Sequence, residues 1–364
     1  MAAAASLTPV RRARLRRSDC SGTGYTRVRR GRGFSYAEAG GGALRDPTEL
    51  LRIKELAIPP AWENVWICTD PQGHLQATGV DAAGRKQYLY HPLWREQRDR
   101  QKFSHMEDFA KALPRLRKRV LATLRSGEDL DEARVLACAV RLLDVGLFRI
   151  GSEEYADEEG GIGLATVLKD NVNITGGEVV FDYLAKSGVR RVQAVQDPPV
   201  VDVVEALKRR RSGGDELLAY RDGRRWHRVR SEQISDYLKQ LVGDQYTAKD
   251  FRTWNATVLA AVSLAADGRD ATSKRARKRA MDGAVKGVAE VLGNTPAVAR
   301  RSYIDPRVFD RYLSGWTIGG ELDRLGSLQG PDDRRRSRLE RAVLDLLHDD
   351  RQSPAVEHHT AEAA

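Results

Sequence analysis

Residues 247–267, TAKDFRTWNATVLAAVSLAAD, decide the fold of the larger part of this chain. Thr247 and Asp250 stand at the spacing of a capping box, in which a carboxylate three residues on takes the N–H of the cap residue. The apolar run behind them predicts a largely buried helix. Arg252 then falls in or near its first turn, where a guanidinium needs a partner or an anion. Asp250 is one possible partner, and an external anion is the other.

Working outward, SEQISDYLKQLVG (231–243) sets Ile234, Tyr237, Leu238 and Leu241 on one helical face. SKRARKRAMDGAVKGVAEVLG (273–293) reads as a helix with a basic end, stopped by Gly293. Thr295 and Pro296 supply the cap and first residue of a short helix carrying Tyr303. DEARVLACAVRLLDVGLF (131–148) and RRRSRLERAVLDLLHD (334–349) add two more amphipathic helices. Two hairpins interrupt them. EVVFDYLAKSGVRRVQAV (178–195) turns at Lys186, and ELLAYRDGRRWHRV (216–229) has Asp-Gly at its centre.

The first hundred residues read differently. WICTD, HLQATGVD and GRKQYLYHP alternate as strands do, with Tyr88 and Tyr90 on one face and Gln87 on the other. The fold class is therefore α+β. Residues 1–17 read as a basic disordered arm and 18–100 as a small β-rich domain. Residues 101–350 read as a larger, mainly helical domain with a β-hairpin insertion, and 351–364 as a disordered tail.

The net charge of +10 over 364 residues points to a polyanionic partner, because Lys and Arg neutralise phosphates and release counterions. No apolar run reaches the length of a membrane span. Cys20, Cys68 and Cys138 make neither a metal-ligand spacing nor an even disulfide set, which fits a reducing, cytoplasmic setting. Walker A, dinucleotide, zincin and nucleophile-elbow patterns are all missing, and no metal or cofactor is expected. Each remaining polar residue has a plain reading of its own. Arg149 can pair with Glu153 or Glu154, Lys186 can be solvated, Tyr303 can be core, and Asn294 can simply accommodate a left-handed turn.

Together and in this order, LLDVGLFRIG (142–151), FDYLAKSG (181–188), TAKDFRTW (247–254) and LGNTPAVARRSYIDP (292–306) resemble the type IB DNA topoisomerases, in the compact poxvirus-like branch also found in bacteria. The resemblance spans roughly residues 20–348. It implies a β-rich and a helical catalytic domain that clamp duplex DNA, a monomer, and a place at the bacterial nucleoid. It also implies relaxation of supercoils through a 3′-phosphotyrosyl intermediate, without ATP or metal. Tyr303 then matches the nucleophile, Arg149 and Arg252 the phosphate-gripping arginines, and Lys186 the acid for the leaving 5′-oxygen. Lys249 matches a second lysine assisting that proton transfer, and Tyr155, Gln87, Tyr88 and Tyr90 match DNA contacts. Asn294 stands where many relatives have His. It keeps an N–H donor but cannot take a proton. Tyrosine recombinases share much of this chemistry, but they usually carry His where Lys249 stands and have a helical N-terminal domain. A non-catalytic DNA-binding protein on the same fold is the other alternative, against which the intact set of Arg149, Lys186, Arg252 and Tyr303 speaks.

Overall fold

Side-chain alternation and helical spacing divide the chain as the sequence pattern leads one to expect, into a β-rich N-terminal region and a larger helical domain. The computed structural model describes residues 14–151, 161–185, 188–326 and 333–358. The chain separates into two units, one ending at Phe103 and the other beginning at Ser104.

In the first unit, strands β1 (Tyr25–Arg30), β2 (Gly33–Ala37), β3 (Glu63–Ile67), β4 (Leu75–Val80) and β5 (Lys86–Tyr90) form one sheet in the order β2-β1-β3-β4-β5. All neighbours are antiparallel. Helix α1 (Pro47–Glu55), capped by the Asp46 carboxylate, brings Ile53 onto Leu44, Val65, Ile67 and Ala77 to make the core. Residues 14–17, the described part of the arm expected to be disordered, include an ordered Arg16. The Arg16 N–H donates to the Gln72 carbonyl (2.9 Å), His74 N–H to the Arg16 carbonyl (2.8 Å), and Ser18 N–H to His74 Nδ1 (2.9 Å). Three bonds to one loop hold this stretch in place.

Helix α2 (Pro92–Leu124) contains the division between the units. The second unit continues with α3 (Glu132–Gly146) and the sheet β6 (Val172–Thr175), β7 (Glu178–Ala185) and β8 (Val189–Val195). Helix α4 (Pro198–Arg209) precedes the hairpin β9 (Ala219–Asp222) and β10 (Arg225–Arg228), which turns at Gly223 with φ +55°. Then come α5 (Ser231–Val242), α6 (Ala248–Asp267), α7 (Lys274–Leu292), α8 (Pro296–Ser302) and α9 (Pro306–Leu313). Strand β11 (Trp316–Thr317), α10 (Gly319–Leu325), α11 (Asp333–Leu347) and β12 (Glu357–His358) complete it. Of the tail expected from 351 onward, residues 357–358 form a strand. Strand β12 pairs with β11, and the Trp316 ring lies 4.6 Å from that of His358.

A buried charge network joins these helices. The Asp144 carboxylate of α3 accepts from Arg117 Nε (2.8 Å) of α2, Arg141 Nη1 (3.1 Å) and Arg336 Nη2 (2.7 Å) of α11. Arg336 also donates to Asn255 Oδ1 (2.8 Å) on α6. Burial by itself disfavours the ionised Asp144, yet Arg336, Arg117 and Arg141 hold its carboxyl far below the usual carboxylate range. The C-terminal helix is thereby tied to the two helices that precede Arg149 and carry Arg252.

Candidate active site

The site is organised by the C-terminus of α7. A helix end leaves its last carbonyls without intrahelical partners and carries the negative pole of the helix dipole. Here three consecutive carbonyls each accept from a different arginine. Val291 O takes Arg191 Nη2 (2.9 Å), Leu292 O takes Arg252 Nη2 (2.9 Å), and Gly293 O takes Arg149 Nη2 (3.0 Å). Among the described residues no carboxylate bonds any of the three. Among the described residues their charge is thus positioned by dipoles and not neutralised by a carboxylate, which is what an anion site requires.

Gly293 makes this fan possible. Its φ of +60° ends the helix in the left-handed region, and a Cβ there would lie 2.8 Å from Arg191 Nη1. The sequence left open whether Asn294 accommodates that turn. The left-handed residue is Gly293, and Asn294 is freed from the role.

Arg252 is 3% exposed and does not pair with Asp250. Asp250 caps its own helix by accepting the Thr247 N–H (2.7 Å). Arg252 Nη1 reaches instead to the carbonyl of Leu147 (2.6 Å), itself a left-handed residue (φ +54°) at the end of α3. Burial pushes the guanidinium down to about 10; Tyr303 works against the shift, while Arg149 and Arg191 add to it. It still carries its charge at neutral pH.

Asn294 Oδ1 accepts from Arg149 Nη2 at 2.5 Å. Because arginine only donates, this bond fixes which end of the amide is oxygen. Among the described residues the buried Nδ2 end has no hydrogen-bond partner, nor do Arg252 Nε and Arg191 Nη1. Three such donors around one helix end mark a place suited to acceptors that the described residues do not supply.

Tyr303 closes α8, its N–H donating to the Ala299 carbonyl (3.0 Å). Its ring lies 5.3 Å from Arg252 Cζ and 6.0 Å from Nζ of the exposed Lys249. The next two residues, Ile304 and Asp305, are fully buried. Asp305 N–H donates to Thr257 Oγ1 (3.1 Å) of α6, and its carboxylate holds Arg307 Nη2 (2.7 Å), which continues to Glu107 Oε1 (2.5 Å). The tyrosine is therefore half-buried on a tightly fixed turn, with its ring beside Arg252. An open pocket of ≈ 880 Å³ lies at the end of α7, lined by Arg149, Arg191, Val192, Gly293, Asn294 and Val298.

Arg149, Arg252, Asn294, Tyr303 and Lys249 thus come together. The hairpin that carries Lys186 pairs Ala185 with Val189, but Lys186 lies outside the described residues, as do Tyr155, Glu153 and Glu154. In the first unit Tyr88 and Tyr90 stack (6.2 Å, 16°), whereas Gln87 points its Nε2 to Asp81 Oδ2 (2.8 Å). Arg191 was missed by the sequence reading. Its strand buries Arg191 and leaves Val189 and Val192 48% and 64% exposed, so hydrophobicity points the wrong way. Among the described residues no cluster of His, Cys, Asp or Glu is placed to hold a metal ion, and no helix is long and apolar enough to cross a membrane.

Residues 91–313 match the family described as the catalytic core of eukaryotic DNA topoisomerase I, and residues 33–81 match the N-terminal domain of bacterial DNA topoisomerase IB. The chain is 30% identical to DNA topoisomerase 1B of Acanthamoeba polyphaga mimivirus over 263 residues, covering 70% of this chain and 77% of that protein. Against DNA topoisomerase 1B of vaccinia virus the identity is 19% over 237 residues, or 64% of this chain and 70% of the viral one. With DNA topoisomerase 1 of Daucus carota it is 31% over 130 residues, 35% of this chain but only 15% of the plant protein.

Proposed function

This chain belongs to the family of type IB DNA topoisomerases, and from that premise we propose that it relaxes supercoiled duplex DNA in the manner of the compact viral and bacterial members. Tyr303 Oη attacks a backbone phosphorus, forming a 3′-phosphotyrosyl bond while the bond to the 5′-oxygen breaks. Lys186, assisted by Lys249, delivers the proton that turns this oxygen into a hydroxyl, because an alkoxide leaves poorly. Rejoining reverses the step. The phosphotyrosine conserves the bond energy, so no ATP is consumed.

Arg149 and Arg252 hold the non-bridging oxygens, and Asn294 adds a neutral N–H donor through Nδ2. The planar forks suit the spread charge of a five-coordinate phosphorus, and preorganised donors supply the stabilisation. Tyr88, Tyr90, Gln87 and Tyr155 contact the duplex in this reading. One observation carries it: guanidiniums fanned over three successive carbonyls, without a carboxylate partner among the described residues, one of them (Arg252) beside the Tyr303 ring.

The experiment is to incubate supercoiled plasmid with the protein in EDTA and without ATP. Relaxation of both positive and negative supercoils is expected, and Tyr303→Phe abolishes it while leaving DNA binding intact. A Tyr303→Phe variant that relaxes plasmid as fast as the parent overturns the mechanism.

A further inference from the structure

Arg191 is assigned no contact with the reacting groups in the mechanism above, yet it occupies a costly position. It is 8% exposed on the inward face of β8, opposite Tyr183 in the register. Burial pushes its guanidinium down, Tyr183 opposes that shift, and Arg149 adds to it. An apolar side chain of similar volume at such a place is often neutral or better for stability, so the guanidinium calls for another explanation.

Its bonds supply one. Nη2 donates to Gln193 Oε1 (2.8 Å) on its own strand and to Val291 O (2.9 Å) at the end of α7. Among the described residues this is the one hydrogen bond between the β7–β8 hairpin and α7. Nη1 rests against Gly293, 2.8 Å from where a Cβ there would stand. Arg191 therefore touches the residues on both sides of Leu292, whose carbonyl takes Arg252, and it borders the turn that presents Asn294.

We propose that Arg191 is a positioning residue for the phosphate site, fixing the Gly293–Asn294 turn against the hairpin so that Asn294 meets Arg149. The proposal rests on the topoisomerase reading for its effect on rate, but its effect on the turn stands apart from it. The mechanical link is short. The Gly293 and Asn294 N–H groups bond back to Glu290 O (3.1 Å) and Ala289 O (2.9 Å), and these bonds persist only while the helix end holds its place.

The test has two arms, with Arg191→Met as the variant because it keeps the volume and gives up the guanidinium. In the first arm, hydrogen exchange across residues 288–296 is followed by mass spectrometry. Exchange is expected to quicken about tenfold or more, since loss of the tie lowers the local opening free energy. An Arg209→Met control on α4, whose arginine is 73% exposed, should leave the segment unchanged.

In the second arm, single-turnover cleavage of duplex DNA is measured in a double-mutant cycle with Asn294→Ala. Arg191→Met slows the parent by roughly tenfold to a hundredfold, the scale of a misplaced catalytic group. In the Asn294→Ala background the same change adds less than about twofold, because its route of action is already gone. Fully multiplicative effects, or unchanged exchange in the segment, overturn the proposal. Arg191→Lys keeps a charged donor and provides the same cycle should the Met variant fold poorly, and multiplicative effects there overturn it as well. A parent that forms no covalent DNA adduct sinks the functional reading instead, and the exchange arm then decides Arg191's hold on the turn.

Discussion

Asn294→Asp changes one atom type and should separate stability from activity by opposite signs. In the free protein Asn294 Oδ1 already accepts from Arg149, and three guanidiniums without carboxylate partners among the described residues border the turn. A carboxylate in the same shape keeps that bond and makes it charge-assisted. Hydrogen bonds to charged groups are worth about 1.5–3 kcal/mol. Asn294 is half-buried, so solvent screening reduces the gain to about 1 kcal/mol. For a unit of this size that raises Tm by about 2–4 °C.

Cleavage moves the other way. The substitution deletes the orphaned Nδ2 donor, and loss of one oxyanion donor costs about 2.7–4 kcal/mol in the transition state. It also sets a negative charge against the phosphodiester. At about 4 Å and an effective dielectric constant near 20 this repulsion is about 4 kcal/mol, halved here for partial exposure. Together these slow cleavage by at least about 10³-fold. The assays are a thermal melt of the free protein and single-turnover cleavage of a radiolabelled duplex. Asn294→Ala should slow cleavage less and leave Tm unraised, while Asn294→His, which restores a donor, should retain substantial activity. A variant with Asp at this position that cleaves within tenfold of the parent, or that loses both activity and Tm, refutes the electrostatic argument.

Three further outcomes can be measured. Asp144→Ala leaves Arg117, Arg141 and Arg336 without their shared buried carboxylate and should cost about 3–5 kcal/mol in a chemical denaturation curve. Since the folded Asp144 carboxyl lies below its unfolded value, its contribution is present above about pH 4 and is lost as pH falls below that. Asp144→Asn should therefore flatten the dependence of Tm on pH in that acidic window, and an unflattened profile would assign the acid sensitivity to other groups. DNA binding, followed by fluorescence anisotropy, should weaken about 10³-fold or more between 50 and 200 mM salt if some six phosphates are neutralised. A flat response would argue against backbone recognition.

How far the molecule was legible depended on the distance over which each feature is determined. The Thr247–Asp250 box, the Gly293 stop and the Pro296 start are local, and each formed where the spacing placed it. The partner of Arg252 was not legible, because Asp250 is spent on its cap and the true acceptors lie 105 and 40 residues away. Leu147 escaped for a related reason. It is Leu147, after Gly146, that takes the left-handed conformation at the end of α3, and the helix that uses its carbonyl lies more than a hundred residues on. Arg191 was hidden most deeply. Pattern reading buries valine and exposes arginine, whereas this strand meets a helix end whose free carbonyls favour the arginine. Residues 1–17 and 351–364 were read as disordered, although Arg16 and residues 357–358 find backbone partners in a distant loop and strand.

The central claim is covalent, and trapping the bond tests it most directly. The protein is mixed with a duplex labelled separately at its 5′ and 3′ ends and quenched in denaturant, and the linked peptide is sequenced by mass spectrometry. The account predicts a single adduct on Tyr303, carrying the 3′-phosphate of the cleaved strand and leaving a free 5′-hydroxyl. An adduct on another residue, a link through a 5′-phosphate, or an adduct that persists in Tyr303→Phe would contradict it.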